Sequence, residues 1–540
     1  MVLDTLKKYF PSYSGSKFPK GFESIVKQIN SSELSEDSLN LLWKAYKYSK
    51  FAHEGQFRKS GSPYFEHCEY VAKTLAEWHL DFNTIIAGLL HDVIEDTNIN
   101  KENIELEFNS EIASLVDGVS KLSDIKFTSR KQKQAENFMK MFLSIANDLR
   151  VIIIKFADRL HNMKTIGHLT RIKQRRIAIE TRDVFAPLAH RLGMNKLKIE
   201  FEDLVLKTLE PGEYKQLKNN IKASEKQRKK YISIFSKPIF LEIEKLSIEA
   251  NIFGRAKHFY SIYGKMKKRN KKFEEIYDLF AIRIIVKKIE HCYALLGIIH
   301  QIYNPIQDRF KDYIATPKTN GYQSIHTTVV GNGGSPVEVQ IRTEEMDNTA
   351  EVGIAAHWLY KENDNLKNSK RKEKLDKHMK WLRELVDVLQ NENKNPEEFL
   401  KLLQINLFED EIFVFSPQGD LIQLPVDSTP IDFAFQVHTQ VGLTCSMAKV
   451  NDKIVPLNTK LKNGQQVDII TEKKHQPNSA WLKIVKTSKA RYHIKKLVKN
   501  QQREQTIKLG KEIAEKTFTK LKRNDIYNKI KKEPNIIKYE

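Results

Sequence analysis

The chain has 540 residues, 40% hydrophobic and 29% charged, with 90 basic against 68 acidic side chains and a formal net charge of +22. That length suits several domains, each with its own core. No apolar run reaches the roughly 18 residues that mark a membrane span, which argues against an integral membrane protein. The first residues show no signal-peptide pattern. Cys68, Cys292 and Cys445 form neither a zinc-type spacing nor a disulfide framework, so a soluble protein of the reducing cytoplasm is expected. The positive balance favours polyanionic partners such as nucleotides and RNA. Abundant Lys, Asn and Ile throughout would also follow from AT-rich coding.

Residues 1–235 read as mostly helical, with 3.6-residue periodicity at 39–51, 112–122, 136–146 and 172–192. Residues 1–200 are expected to form an all-α domain and 201–235 a helical connector. The spacing over 83–96 predicts one continuous helix. Ile85, Ile86, Leu89, Leu90, Val93 and Ile94 fill one half of its wheel; His91, Asp92, Glu95 and Asp96 crowd the other. Three carboxylates and an imidazole within about one turn repel one another unless a cation intervenes. An acidic solvent-facing surface would explain the carboxylates, but less easily an adjacent His-Asp pair followed one turn on by Glu-Asp.

Further segments can converge on that helix. His67 follows a Gly-Ser-Pro turn, and Asp158, Asn162 and Thr165 share one helical face. His67, His91, Asp92 and Asp158 make a mixed nitrogen and oxygen set suited to Mn²⁺, Fe²⁺ or Zn²⁺ rather than to a thiolate zinc site. Such a set leaves open positions for water and a phosphate oxygen. Glu95 and Asp96, not needed as ligands, are left to position that water or carry its proton.

Residues 236–360 mix helix and strand, which predicts an α+β domain. A basic helix is expected over 255–269, entered from Gly254. Arg255, Lys257, Ser261, Lys265 and Lys268 would offer donors to a triphosphate, with the helix N-terminus adding to them. The P-loop order is absent, and a solvated basic face explains the same residues. Residues 279–286 read as a buried strand and 337–342 as a half-buried one. Asp278 and Glu338, acids among many bases, are candidates for binding Mg²⁺ and deprotonating a hydroxyl nucleophile. Between them Tyr322 offers a stacking surface for a base, while Lys318, Asn320 and His326 offer polar contacts. Residues 361–408 read as a charged helical linker containing a helix near 381–389. A small β-rich module follows over 409–471, with a capped helix start at 428–432. The remainder, 472–540, reads as a basic helical tail.

The longer motifs carry a resemblance. Residues 58–67, 90–97 and 156–163 are similar to the hydrolase domain of the RelA/SpoT family, an HD-type metal-dependent phosphohydrolase. Residues 254–268 and 309–326 resemble the same family's synthetase domain, a nucleotidyltransferase-like fold, and 427–438 resembles its β-grasp-like TGS domain. The resemblance implies a bifunctional enzyme. One activity would transfer the β,γ-pyrophosphate of ATP to the 3′-hydroxyl of GDP or GTP, making (p)ppGpp; the other would remove that pyrophosphate again.

Carried over by residue, it implies that His67, His91, Asp92 and Asp158 bind Mn²⁺. Glu95 and Asp96 would activate water, and Arg58, Lys59, Ser60, Asn162 and Thr165 would hold the guanosine and its phosphates. In the synthetase it implies Asp278 and Glu338 for Mg²⁺ and the 3′-hydroxyl, and Arg255 against adenine. Lys257, Ser261 and Lys265 would hold the ATP phosphates. Tyr322 would stack on guanine, with Lys318, Asn320, His326 and Gln340 near the acceptor. Arg309 and Lys311 belong to an Arg-x-Lys-Asp variant that is typical of bifunctional members. His438 would contact uncharged tRNA on the ribosome. Long members usually continue into further modules, so the resemblance implies a shortened form whose ribosome activation is open. Two other readings stand beside it: a synthetase whose HD domain is only a scaffold, and a non-catalytic tRNA- or ribosome-binding regulator.

Overall fold

The computed structural model describes residues 18–29, 34–120, 147–223, 225–255, 258–270, 273, 281–318, 320–357, 411–473 and 475–521. The expected helix at 136–146, the linker 361–408, and Lys257 and Asp278 lie outside the described residues, as does the Arg255 side chain. The chain divides into two compact units, 1–400 and 401–540.

The first unit opens with α1 (Lys20–Val26), α2 (Glu36–Ala52), α3 (Phe65–Glu77), α4 (Phe82–Leu90), α5 (Val93–Asp96), α6 (Lys101–Glu107), α7 (Ser110–Ser120) and α8 (Arg150–Lys164). Side-chain caps fix several starts. Ser35 accepts from the Ser38 amide, Asp81 accepts from the Thr84 amide, and Asn100 and Asn103 form a reciprocal capping box. Each such cap contributes about 1 kcal/mol. Helix α4 is buried at every position from Thr84 to Leu90, so it runs through the core rather than along the surface. An edge-to-face aromatic group of Phe18, Phe22, Trp43, Tyr46 and Phe65 closes one end of this all-α part.

Next come α9 (Arg171–Glu180), a π-helical turn at Thr181–Phe185, α10 (Ala186–Arg191), α11 (Asn195–Leu209), α12 (Pro211–Ala223) and α13 (Glu225–Lys245). The α+β part then contains β1 (Ala250–Arg255), α14 (Phe259–Arg269), β2 (Ala281–Val286), α15 (Ile289–Ile302), β3 (Lys311–Asp312), β4 (Ile325–Val330), β5 (Pro336–Thr343) and α16 (Glu344–Val352). Its sheet has the order β1-β2-β5-β4-β3. Only the β2·β5 pair is parallel, with Arg283 opposite Gln340; the others are antiparallel. Alternation along the strands sorts the two faces. Ile282, Ile284, Val337, Val339, Ile341 and Ile325 pack with Phe235 and Ile239 of α13 and Leu295 and Ile299 of α15. The opposite face carries Arg283, His326, Glu338, Gln340 and Arg342. The basic helix expected over 255–269 starts late: Gly254 and Arg255 end strand β1, and the helix begins only at Phe259.

In the second unit β6 (Glu411–Phe415) pairs with β7 (Leu421–Pro425). Helices α17 (Pro430–Val437) and α18 (Thr439–Leu443) precede β8 (Cys445–Val450), β9 (Lys453–Val455) and β10 (Val467–Thr471), and α19 (Trp481–Ile484) and α20 (Ser488–Lys520) follow. The buried Asp432 side chain holds this unit together. It accepts from Thr429 N and Oγ1 and, far along the chain, from Lys486 N, Thr487 N and Thr487 Oγ1. Trp481, Val485, Ala490 and Ile494 share a core with Ile431 and Phe435, so the start of the long basic helix is part of the β-rich module's packing. Among the described residues no helix is long and apolar enough to cross a membrane.

Candidate metal centre and nucleotide cleft

The expected continuous helix over 83–96 is broken at His91 and Asp92, between α4 and α5. The two residues are 0% and 7% exposed, whereas Glu95 and Asp96 lie exposed on α5. Thus the pair does not belong to a solvent-facing acidic surface; it enters the core. From there both side chains meet those of α3 and α8. His67 comes from α3 and is 1% exposed; Asp158 comes from α8.

One ligand atom from each of His67, His91 and Asp158 lies within 4.8 Å of the others. Asp92 Oδ2 completes the group, 2.9 Å from His91 Nε2 and 3.5 Å from His67 Nε2. His91 Nδ1 lies 2.9 Å from the Gly88 carbonyl. Donating there fixes the tautomer and leaves Nε2 as a lone pair. That Nε2 is buried and has no hydrogen bond; the Asp92 oxygen is close enough but not aligned for one. Leaving such a group unsatisfied costs about 1–3 kcal/mol, and a divalent cation would remove the cost.

The two histidines differ in protonation. Burial pushes His67 down, toward neutral imidazole, whereas burial of His91 is outweighed by the adjacent Asp92 carboxylate, which raises it and supplies a negative charge that a cation can take over from the proton. Burial opposes ionisation of Asp92 and Asp158, yet His91 beside the first and Lys155 beside the second outweigh it. Both carboxyls sit below the usual carboxylate range. Two imidazoles and two carboxylates form a mixed nitrogen and oxygen set that fits a divalent metal of the Mn²⁺, Fe²⁺ or Zn²⁺ kind.

Around this cluster Arg58 donates to Asn162 Oδ1 (2.5 Å) and reaches Thr165 Oγ1 (3.5 Å), and Asn162 donates to Asp158 Oδ1 (2.5 Å). The structure therefore brings Arg58, Asn162 and Thr165 to the metal ligands. Lys59 and Ser60 sit exposed on the same loop, where Ser60 bonds Ser62. Two contacts were not anticipated. Tyr64 donates to Asp92 Oδ2 at 2.8 Å, and His161 Nδ1 lies 2.6 Å from His67 Nδ1. His161 sits one turn past Asp158, and that helical spacing was the signal for it.

A second site lies on the polar face of the five-stranded sheet, a cleft of about 700 Å³. Lys318, Asn320, Tyr322, His326 and Gln340 line it. Gln340 donates to Glu338 (2.8 Å), whose carboxylate is 3.7 Å from His326 Nδ1. His326 Nε2 meets the Tyr322 hydroxyl at 2.7 Å. The hydrogen bond to His326 thus orients the Tyr322 ring, which was expected to stack on a base. Lys311 is opposite His326 in the β3·β4 register, and Arg309 is exposed on the preceding turn. Ser261 and Lys265 lie on α14, whose first flanking residue His258 lines the cleft, although they do not themselves line it.

The helix N-terminus expected to help hold phosphates has another partner: Asp203 of α11 accepts from the Tyr260 amide at 2.9 Å. Arg283 and Arg342 also line the cleft. Arg342 pairs with Asp347, and Arg283 pairs with Asp347 at 3.2 Å and Glu351 at 3.0 Å. Charged residues at alternate positions of apolar strands were the available signal for both. His190, Asn195 and Lys198, from α10 and α11, complete the wall; nothing local in the sequence points to them.

The all-α part reaches the cleft through a tight seam. Asn320 Nδ2 donates to the His190 carbonyl (3.0 Å), Asn195 Nδ2 to the Ala350 carbonyl (3.1 Å), and the Ile354 amide to the Leu192 carbonyl (3.0 Å). Gly193 and Gly353 meet there, both with positive φ. A methyl on Gly353 would lie 2.4 Å from the Gly193 carbonyl carbon, so neither position has room for a side chain. In the second unit His438 is exposed and accepts from the Gln440 amide (3.2 Å), capping α18.

An all-α domain that converges two histidines and two aspartates on one buried point is an HD-type domain, here joined to an α+β domain with a polar cleft and to a β-rich module. The HD domain family matches residues 45–195, the region found in RelA/SpoT proteins matches 254–365, and the TGS domain matches 412–471. A GTP pyrophosphokinase of Myxococcus xanthus is 45% identical over 492 residues, 91% of this chain and 64% of that protein. A guanosine-3′,5′-bis(diphosphate) 3′-pyrophosphohydrolase of Vibrio cholerae is 45% identical, and the bifunctional (p)ppGpp synthase/hydrolase SpoT of Escherichia coli K12 is 44% identical. Each covers 91% of this chain, which in turn covers 69% of each relative. The chain therefore spans about two thirds of the length of these relatives, and it belongs to the RelA/SpoT family.

Proposed function

We propose that the chain is a bifunctional alarmone enzyme of the stringent response in the cytoplasm, making (p)ppGpp at the cleft and degrading it at the metal centre. The observation that carries the degrading half is the buried, unbonded His91 Nε2 facing the same point as His67 and Asp158. We assign Mn²⁺ to His67, His91, Asp92 and Asp158. A divalent ion there lowers the pKa of bound water and withdraws charge from phosphorus. The residues do the rest. Arg58, Asn162 and Thr165 face the guanosine and its phosphates, with Lys59 and Ser60 at the rim. Glu95 and Asp96, exposed at the mouth, take the proton of the attacking water.

At the cleft, Tyr322 stacks on guanine, and Lys318, Asn320, His326 and Gln340 hold GDP or GTP. Glu338, with Asp278, serves Mg²⁺ and takes the proton of the 3′-hydroxyl as it attacks the β-phosphorus of ATP. Arg255, Lys257, Ser261 and Lys265 are assigned to ATP, and Arg309 and Lys311 to the acceptor side. Catalysis here is mostly positioning and charge neutralisation. For the second unit we propose uncharged tRNA on the ribosome as partner, with His438 at the contact.

Two assays on one preparation test the proposal: Mn²⁺-dependent pyrophosphate release from ppGpp, and conversion of ATP plus GDP. A folded, metal-loaded protein lacking either activity would overturn it. Hydrolysis should vanish in His91→Ala and synthesis in Asp278→Ala.

A further inference from the structure

A metal-bound imidazole must present a lone pair to the ion and carry its proton on the other nitrogen, where that N–H needs an acceptor. His91 meets the requirement with a backbone carbonyl, as described. His67 does not. The only described partners of its Nδ1 are the imidazole of His161, at 2.6 Å, and Arg58 Nη1, at 3.4 Å. An arginine cannot accept. The His67 and His161 rings are nearly parallel, 13° apart, with centroids separated by 4.9 Å. With the two nitrogens so close, that separation is what coplanar imidazoles joined edge to edge give, so the contact is a ring-plane N–H···N hydrogen bond rather than a face-to-face stack.

The direction of this bond follows from the third group. Arg58 Nη1 also lies 3.0 Å from His161 Nδ1. If His161 donated, its N–H would face the guanidinium N–H at that distance, donor against donor. If His67 donates, one lone pair on His161 receives both His67 and Arg58. The second arrangement also leaves His67 Nε2 as a lone pair facing Asp158 and Asp92. Tyr70 lies flat on the His161 ring, 4.1 Å between centroids and 15° apart, and Lys164 holds the Tyr70 hydroxyl at 2.8 Å. The acceptor ring is therefore clamped on its face as well as at its edge.

We infer that His161, itself no metal ligand, is the positioning residue of the hydrolase centre: a neutral imidazole that accepts from His67 Nδ1–H and so prepares His67 Nε2 to bind the divalent ion, while tying Arg58 to the same atom. The inference rests on the metal-dependent reading above. Loss of such a partner typically weakens metal binding by about 10–100-fold.

Two substitutions separate this role from packing. His161→Phe keeps a ring against Tyr70 but has no acceptor. His161→Asn loses the ring but can place Oδ1 where Nδ1 stood. Mn²⁺ alone is titrated into the full-length chain, and the free ion is read by electron paramagnetic resonance, with circular dichroism confirming the fold. The expected result is a loss of about 10–100-fold in Mn²⁺ affinity for His161→Phe, with His161→Asn close to the unaltered chain. Tight binding by His161→Phe, or weak binding by a folded His161→Asn, would overturn the inference. An unaltered chain that binds no Mn²⁺ would instead overturn the hydrolase reading beneath it.

Discussion

The two sites of the first unit differ in how they admit water and in what builds them. At the metal centre His67, His91 and Asp92 are at most 7% exposed, and three helical segments that cross in the core fix them. The cleft of the α+β part is an open face of about 700 Å³, built from alternate residues of β2, β4 and β5 and closed by residues from α10 and α11. A site for one ion can be preformed and mostly buried, because the ion balances the charge of its ligands. A cleft proposed to take two nucleotides has to stay open, and there the Tyr322–His326 and Gln340–Glu338 hydrogen bonds keep polar side chains oriented. Depth and precision go with the first, reach with the second.

This contrast can be broken from either side. The largest effect is expected from His91→Ala. Losing a fully buried ligand should lower ppGpp hydrolysis on the order of 10³-fold, the several kcal/mol a bound metal supplies, while ATP-plus-GDP conversion stays intact. Equal loss of both would show that the sites are not separable. Glu338→Gln should do the reverse, lowering synthesis by about 10²-fold and sparing hydrolysis. Tyr322→Ala should raise the acceptor KM by roughly 5–150-fold, from the ~1–3 kcal/mol of one base stack. Tyr322→Phe keeps the ring and should lose far less; similar losses in both would mean that the hydroxyl, not the ring, matters.

The seam between the sites gives a stability test. Gly353→Ala, with φ +63 and a methyl directed into Gly193, should cost about 2–4 kcal/mol in urea unfolding. Gly212→Ala, where a methyl meets nothing within 4 Å, is the control.

The smallest effect concerns Asp203. Burial pushes its carboxyl up to about 6, against the pull of the Tyr260 and Phe259 amides. The folded state then holds the proton more tightly than the unfolded one, so the favourable contribution is complete below roughly pH 4 and is lost as pH rises through 6. Asp203→Asn should therefore gain on the unaltered chain between those values, by at most about 1 kcal/mol for a half-buried, solvent-screened group. No relative gain would remove this account of Asp203.

Much of this architecture was legible in the residues. The order of an all-α part, an α+β part and a β-rich module follows from changes in periodicity, and His67, His91, Asp92 and Asp158 stand out by type and spacing. What could not be read locally was the break at His91. Apolar residues continue on both sides of it, and only packing against α3 and α8 makes turning the pair inward worthwhile. Likewise the cap on α14 comes from Asp203, 57 residues upstream of the amide it accepts; a helix start with no local capping side chain gives no hint of a remote one. The strand at 250–255 was hidden because its pairing partner, β2, lies across α14 in sequence. His161 fell between two expected residues, Asp158 and Asn162, and a histidine that serves another histidine has no motif of its own.

The seam has a consequence for dissecting the molecule. Residues 190–195 and 350–354 lie some 160 positions apart in the chain, yet they exchange backbone and amide hydrogen bonds across a gap too narrow for a methyl group. Excising the all-α half would leave the Ile354 amide and the Asn320 side chain without their acceptors; excising the α+β half would take the acceptor from the Asn195 side chain and the donors from the His190 and Leu192 carbonyls. Water would take the place of those partners at a net loss of about 0.5–1.5 kcal/mol for each bond, so either fragment would forgo a sizeable share of a small domain's net stability. The halves are riveted rather than threaded, and a rate measured on one alone describes a different object from the same half in place.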